Sequence, residues 1–405
     1  MNIPAQGHTN PTLAVVKELV RRGDTVIYYS FTKFQAAIES TGAEFRSYDQ
    51  ELPIDPDNPD PNLVRYATEL LETAQILVPQ LLPRVVAEKP DAIIHDSLCA
   101  WGLIIARALK LPSICSISTF AISPRVAVTS FRDVWDFGAM MLESASDMVR
   151  FFRIAAALRR EYGFAQAVPP EMYSNFSDRN IIYTSAELQP YSASFPANFR
   201  FVGASIEEMP PDSNFAQSDF AQINFSLPDV PQRRIYISLG TLFNNNLPFY
   251  KMCVEAFSGV NARVVMSIGK KIAVQDLGAL PTNISAYSFV PQLDVLRKSD
   301  VFITHGGMNS VHEALWFAVP LVIVPQAADQ KFVSKRLDAL GAGIRIAKDE
   351  VNAERLRNAV EKILTTPSYK EKSAKLGDTL RKAGGAGKAA DEIQEYIAER
   401  MRTIR

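Results

Sequence analysis

Residues Phe289 to Gln330 read FVPQLDVLRKSDVFITHGGMNSVHEALWFAVPLVIVPQAADQ, and this stretch decides how the chain is understood. An aromatic opens it ahead of Val290-Pro291-Gln292. Two apolar, β-branched runs, 301–304 and 321–324, flank a His305-Gly306-Gly307-Met308-Asn309-Ser310 turn, Glu313 follows, and Asp329-Gln330 close the segment. β-Branched runs favour strands and glycines favour tight turns, so the stretch predicts strand, turn, helix, strand and loop. Its polar residues then fall at the C-terminal ends of strands, where open α/β sheets bind ligands. One such unit can hold a whole nucleotide-linked substrate.

The rest of the composition sets bounds on function. A chain of 405 residues suits two ordinary domains. Its 47% hydrophobic and 21% charged residues are those of a globular protein and argue against disorder. A net charge of −1 gives no polyanion-binding signature, so nucleic acid is not an expected partner. Cys99, Cys115 and Cys253 lie far apart without CxxC spacing, which suits small buried thiols better than a disulfide framework or a zinc site. No apolar run reaches transmembrane length and no signal peptide opens the chain, so the expectation is a cytoplasmic protein with no stable membrane insertion. Only Met1 to Pro4 precede the first glycine turn, where a Rossmann-like half normally has a full apolar strand. A few residues of that strand are expected to be missing.

Outward from the central stretch, strand-like runs alternate with amphipathic helical stretches, the pattern of parallel α/β sheets. Pro11 marks a helix start ahead of Leu13, Val16, Leu19 and Val20 at helical spacing, and Gly23-Asp24 stop it. Strands are predicted at 25–29, 92–95, 113–117 and 181–184 in the first half, and at 235–239, 263–268 and 284–287 in the second. Helices are predicted over 248–258, 309–318, 330–340, 353–365 and 369–384, with a last one from Asp391 to Arg402. The polar, proline-rich segment 206–231 reads as a linker. The expected domains are 1–205, with a truncated first strand, and 232–385; 386–405 adds a closing helix. The fold class is α/β, with two Rossmann-like domains facing across a cleft.

Histidine is scarce, and its positions carry the chemical argument: His8, His95, His305 and His312. His8 lies in the NIPAQGHTNP turn beside a helix N-terminus, whose positive end disfavours protonation. A neutral imidazole is what a general base requires. Asp96 ends the strand at AIIHD and emerges at the same sheet edge, where a carboxylate can hold the second ring N–H of His8 and stabilise the imidazolium. Capping of a helix near Leu98 is the structural alternative for Asp96. His95 points to the opposite face of its strand and reads as structural.

In the second half, Ser238-Leu239-Gly240-Thr241 ends a strand with small residues, letting backbone N–H groups and the Thr241 hydroxyl approach a phosphate. The His305–Ser310 turn does the same more specifically, since Asn309 and Ser310 begin a helix whose N-terminus can hold a diphosphate. The Glu313 carboxylate suits two ribose hydroxyls. Phe289 can stack on a base, and Gln292 can offer it amide hydrogen bonds. Each residue alone has an ordinary structural reading: core for Phe289, N-cap for Asn309, solvated charge for Glu313. Their order and their place at strand ends are what favour a ligand site.

With NIPAQGHTNPTLAVVKEL, the SLGT turn and VPQLDVL all in place, the chain resembles family 1 UDP-glycosyltransferases along essentially its whole length. Within them it is most similar to the bacterial macrolide- and flavonoid-type subgroup. The resemblance implies the GT-B fold, the acceptor on the N-terminal half, the UDP-sugar on the C-terminal half, and a closing helix that packs back on the first domain. It implies His8 as the base that deprotonates an acceptor hydroxyl and Asp96 as its orienting partner. Phe289 stands where many members carry Trp on the uracil, Val290 and Gln292 contact base or ribose, and Glu313 takes the ribose hydroxyls. His305, Gly307, Asn309 and Ser310 hold the diphosphate with Thr241 nearby, Asp329 and Gln330 bind sugar hydroxyls, and Thr119 reaches the donor from the first domain. The implied reaction is inverting transfer of a hexose, glucose first, with no cofactor and no obligatory metal; no DxD-type carboxylate cluster appears at a plausible place.

The acceptor is expected to be a small hydrophobic hydroxylated molecule such as a flavonoid, phenol or macrolide. Residues 131–164, with Trp135, Phe137, Met140, Met141, Met148, Phe151 and Phe152, offer adaptable apolar side chains for one, although ordinary helix core is an equal reading. Alternatives on the same fold are a nucleotide-sugar epimerase and a non-catalytic nucleotide-sugar binder. The presence of His8, Asp96 and the Asp-Gln ending weighs against both. A dinucleotide oxidoreductase is disfavoured because no GxGxxG follows a strand.

Overall fold

Strands whose Val, Ile and Phe side chains are buried on both faces must be covered by helices, which favours parallel pairing. In the computed structural model every strand pair among the described residues is parallel. The structure describes residues 1–48, 50–55, 60, 62–127, 138, 140, 141, 143–164, 168–206, 232–326 and 329–404. It divides into two units, Met1–Ser205 with Lys382–Arg405, and Ile206–Arg381. Most of the segment read as a linker, 207–231, lies outside the described residues.

In the first unit, β1 (Ile27–Ser30) pairs with β2 (Glu44–Ser47). A second sheet runs in the order β3 (Ile93–Asp96), β4 (Ser113–Ile117), β5 (Arg179–Ile182) and β6 (Phe199–Phe201). The first residues of the chain lie between the two sheets. The Asn2 N–H donates to the Tyr29 carbonyl at 3.2 Å, the Met1 amine donates to the Ile94 carbonyl at 2.8 Å, and the Asp96 N–H donates to the Met1 carbonyl at 3.0 Å. Side chains reinforce this short link. The Tyr48 hydroxyl accepts the Asn2 N–H at 3.1 Å and donates to the Asn2 carbonyl at 2.8 Å, while Trp101 Nε1 donates to Tyr48 at 3.2 Å. With that link counted as the first strand, the order is the doubly wound one, and its reversal falls between residues 1–3 and β3.

The helix predicted to start near Pro11 begins earlier: α1 spans Gln6–Arg21 and contains Pro11. Proline removes one helical N–H, but side chains serve the carbonyls of that first stretch. Asn2 Nδ2 donates to the His8 carbonyl at 3.1 Å, and Thr12 Oγ1 donates to the Thr9 carbonyl at 2.7 Å. His8 is therefore fixed inside the first turn of a helix. Among the described residues, this part also has helices α2 (Gln35–Glu39), α3 (Leu63–Glu88), α4 (Ala100–Ala108), α5 (Pro124–Ala127) and α6 (Ala145–Tyr162). The largest buried cluster of this unit joins α3, α4 and α6 through Leu70, Leu77, Trp101 and Phe151.

The second unit has one six-stranded sheet in the order β12-β11-β10-β7-β8-β9. Its strands are β7 (Arg233–Ser238), β8 (Ala262–Ser267), β9 (Ile284–Tyr287), β10 (Val301–Thr304), β11 (Leu321–Ile323) and β12 (Gly343–Arg345). This is the Rossmann order with its reversal between β7 and β10, the place where doubly wound sheets bind ligands. The helices are α7 (Leu247–Phe257), α8 (Gln292–Arg297), α9 (Met308–Trp316), α10 (Gln330–Leu340), α11 (Ala353–Thr365) and α12 (Ser368–Lys382).

The chain ends in α13 (Gly385–Ile404), which starts before the predicted Asp391 and belongs to the first unit. Ala389, Ala390, Ile393 and Tyr396 pack with Val15, Leu19, Ile114 and Ile181. Its Glu392 is 4% exposed and meets three cations: Arg179, Arg200 at 3.0 Å and Lys388 at 2.9 Å. Arg22 adds an ion pair to Asp391 at 2.7 Å. Among the described residues no helix is long and apolar enough to cross a membrane.

Candidate active site

In the first unit the candidate residues gather at the sheet reversal. Asp96 ends β3 and is 2% exposed, and its two carboxylate oxygens have separate partners. Oδ1 accepts the Leu98 N–H at 2.8 Å, and Oδ2 lies 2.7 Å from His8 Nδ1. The helix-capping and histidine-orienting readings of Asp96 are thus compatible, since each uses a different oxygen. A carboxylate accepts only, so Nδ1 is the donor and Nε2 is the basic nitrogen. The His8 side chain keeps 19% of its surface accessible, enough for a substrate hydroxyl to reach it.

Sequence reading passed over Ser118, whose Oγ stands 3.1 Å from His8 Nδ1. The signal was available in strand alternation. Asp96 pairs with Ser116 across β3 and β4, and two residues on from Ser116 the same face carries Ser118. Thr119 lies in the same unit as His8 on the adjacent position, with Oγ1 3.4 Å from the Phe120 carbonyl. His95 is buried, with Nε2 2.8 Å from Ser177 Oγ, and burial lowers its pKa to about 4, which suits a neutral structural group.

In the second unit the turns after β7 and β10 meet at the other reversal. Gly240 and Gly307 both approach the His305 ring closely, and a Cβ built on either glycine would stand 2.5 Å from it. Gly240 has φ +72°, so both conformation and close approach require glycine there. Burial lowers the His305 pKa to about 4, so its ring is neutral near pH 7. Thr241 is exposed beside Gly240. Gly307 is the N-cap of α9, and the first backbone bond of that helix runs from Val311 to the Gly307 carbonyl at 3.0 Å. The N–H groups of Met308, Asn309 and Ser310 precede that bond, the arrangement that binds anions at helix N-termini.

One turn further, Gln292 joins the loop after β9 to α9. Its Nε2 donates to Glu313 Oε2 at 2.6 Å and to Ser310 Oγ at 3.2 Å. Burial pushes the Glu313 carboxyl up to about 7, against the lowering effect of the Gln292 hydrogen bond. Phe289 is half-buried ahead of this group. Val290, read as a contact to base or ribose, is 1% exposed. The Asp-Gln pair starts α10. Asp329 is its half-buried N-cap, whereas Gln330 is buried and its Oε1 accepts the Gln326 N–H at 2.8 Å. The Gln330 carbonyl lies 3.9 Å from where a Cβ on Gly306 would stand, so the pair adjoins the β10 turn.

The aromatic- and methionine-rich segment gives a mixed picture. Phe151 is core, Phe152 is 45% exposed, Met140, Met141 and Met148 are half-buried, and Trp135 and Phe137 lie outside the described residues.

This combination of two parallel α/β units is shared with solved proteins. The crystal structure of the glycotransferase of kitacinnamycin matches with a TM-score of 0.84 and 29% identity, covering 98% of this chain and 97% of its own. The fold is that of a GT-B glycosyltransferase. Residues 251–388 match the model of the erythromycin biosynthesis protein CIII-like C-terminal domain. An uncharacterized UDP-glucosyltransferase, YojK of Bacillus subtilis (strain 168), is 32% identical over 411 residues, covering 100% of this chain and 98% of the relative. The oleandomycin glycosyltransferase of Streptomyces antibioticus is 28% identical, covering 98% and 90%. The chain belongs to the bacterial family 1 UDP-glycosyltransferases of the macrolide type, and is a glycosyltransferase of the natural-product class.

Proposed function

We propose that the protein transfers a hexose, glucose first, from a UDP-sugar to a hydroxyl of a small hydrophobic acceptor such as a flavonoid, phenol or macrolide, with inversion at the anomeric carbon. The single observation that carries this reading is the 2.7 Å contact of His8 Nδ1 with Asp96 Oδ2, on a carboxylate already anchored by the Leu98 N–H. The dyad leaves Nε2 to take the acceptor's proton as its oxygen attacks C1 and the C1–O bond to UDP breaks. The imidazolium so formed faces the Asp96 carboxylate. The leaving diphosphate is held by the α9 N-terminus and by neutral His305, a donor set that makes no use of a metal ion. Ribose hydroxyls go to Glu313, the uracil to Phe289, and the sugar hydroxyls to Asp329 and Gln330. UDP-glucose is favoured as donor because the relative matched over the whole chain is described as a UDP-glucosyltransferase.

The test is incubation with UDP-α-glucose and a panel of flavonoids, phenols and macrolides, with products resolved by NMR. A β-glucoside is expected. Absence of product from every acceptor, or an α-glucoside, sinks the reading.

A further inference from the structure

Tyr236 belongs to no motif legible in the sequence, yet its hydroxyl is the end of a chain of hydrogen bonds that leads into the nucleotide site. It lies in β7, 1% exposed, with its ring stacked on Phe302 at a centroid distance of 4.6 Å and an angle of 11°. Burial holds the phenol well above its ordinary pKa, so the O–H stays a donor, and it donates to Gln292 Oε1 at 3.0 Å.

That bond decides which end of the Gln292 amide faces α9. With Oε1 engaged by Tyr236, Nε2 is the atom that meets Glu313 Oε2 at 2.6 Å and Ser310 Oγ at 3.2 Å. An ionised carboxylate can only accept, so the opposite amide orientation would set two acceptors against each other at the same separation. The hydroxyl of a buried tyrosine thereby keeps one carboxylate oxygen of Glu313 satisfied by the protein and leaves the other for a ligand.

We propose that Tyr236 is a positioning residue for ribose recognition: its hydroxyl fixes the Gln292 amide, and the amide fixes the Glu313 carboxylate that receives the ribose hydroxyls. The inference rests on the donor-site reading above. It predicts that the site distinguishes a ribonucleotide from its 2′-deoxy counterpart through this chain.

The experiment is titration calorimetry of UDP and 2′-deoxy-UDP against the wild-type protein, Tyr236→Phe, Gln292→Met and the double variant. Tyr236→Phe keeps the ring and its stack on Phe302 and removes only the hydroxyl. Wild type is expected to bind UDP about tenfold tighter than 2′-deoxy-UDP, as a bond to a charged group implies. In Tyr236→Phe, UDP should weaken about fivefold while 2′-deoxy-UDP stays within about twofold, on the scale of one hydrogen bond. The double variant should lose no more than Gln292→Met alone. Equal weakening of both nucleotides, unchanged discrimination, or additive losses in the double variant overturn the role of Tyr236 while leaving the donor site intact. A wild-type protein that binds neither nucleotide overturns the donor-site reading, and this inference with it.

Discussion

A methyl group on Gly240 would stand 2.5 Å from Cε1 of His305, so the imidazole occupies the space that any other residue at 240 would need. Gly307 crowds the same ring, with a built Cβ 2.5 Å from Nε2. The two glycines differ in one useful way: Gly240 has a left-handed φ, and Gly307 has an ordinary φ of −62°. Gly307→Ala therefore displaces the ring without adding backbone strain. UDP affinity should fall about tenfold or more, the scale of a hydrogen bond to a charged group. Calorimetry with UDP, beside a thermal melt close to that of wild type, checks this.

If Glu313 receives the ribose hydroxyls as proposed, donor binding should depend on pH. Its folded pKa of about 7 lies above the ordinary 4.5, so between those values the native protein binds more protons than the unfolded chain. Its contribution to stability is therefore greatest below pH 4.5 and is lost as pH rises towards 7. Ribose hydroxyls need the ionised form, so UDP affinity should weaken as pH falls below about 7 and level off above it. Glu313→Gln should flatten that profile. Calorimetric UDP titrations across this range, with both proteins, are the check.

The buried carboxylate of Glu392 holds α13 on the first unit through Arg179, Arg200 and Lys388. Replacing it by Ala leaves the buried Arg179 guanidinium without its main partner. A loss of about 3 kcal/mol is expected, the lower part of the range for breaking a buried pair. Urea unfolding of Glu392→Ala measures it, and a change below about 1 kcal/mol, the level of an exposed pair, would mean the cluster is screened.

If the α9 N-terminus and His305 carry the diphosphate, chelation should not matter. Transfer rates in EDTA are expected to stay within about twofold of untreated enzyme, the electrostatic work being done by fixed protein donors. A rate abolished by EDTA and restored by Mg²⁺ would assign that work to a metal.

Much of this architecture is written in the sequence, and the gaps have physical causes. The buried strand Val301–Thr304 of the second unit is an apolar run bounded by turn residues and lies where the sequence reading put it. The short strands Glu44–Ser47, Phe199–Phe201 and Gly343–Arg345 are at most four residues long and only partly buried, so they carry no strong periodicity. The 26-residue helix Leu63–Glu88 was hidden by Pro79 and Pro83, which its packed apolar stripe overrides. Asp96 could be matched to His8 because both end or follow strands. Ser118 reads as an ordinary small polar loop residue until the pairing of β3 with β4 is known, and Tyr236 as core because it is a tyrosine inside an apolar strand. The exposure of Val290 could not be read at all, since Val serves equally in a loop and in a core.

On the proposed mechanism His8 is the base that takes the acceptor's proton. The most direct measurement is acceptor-dependent UDP release by wild type and His8→Ala, with UDP affinity measured in parallel. Loss of about 10²–10⁴-fold in kcat is expected, the range for a general base, with UDP affinity unchanged. Equal release from the two proteins would contradict it.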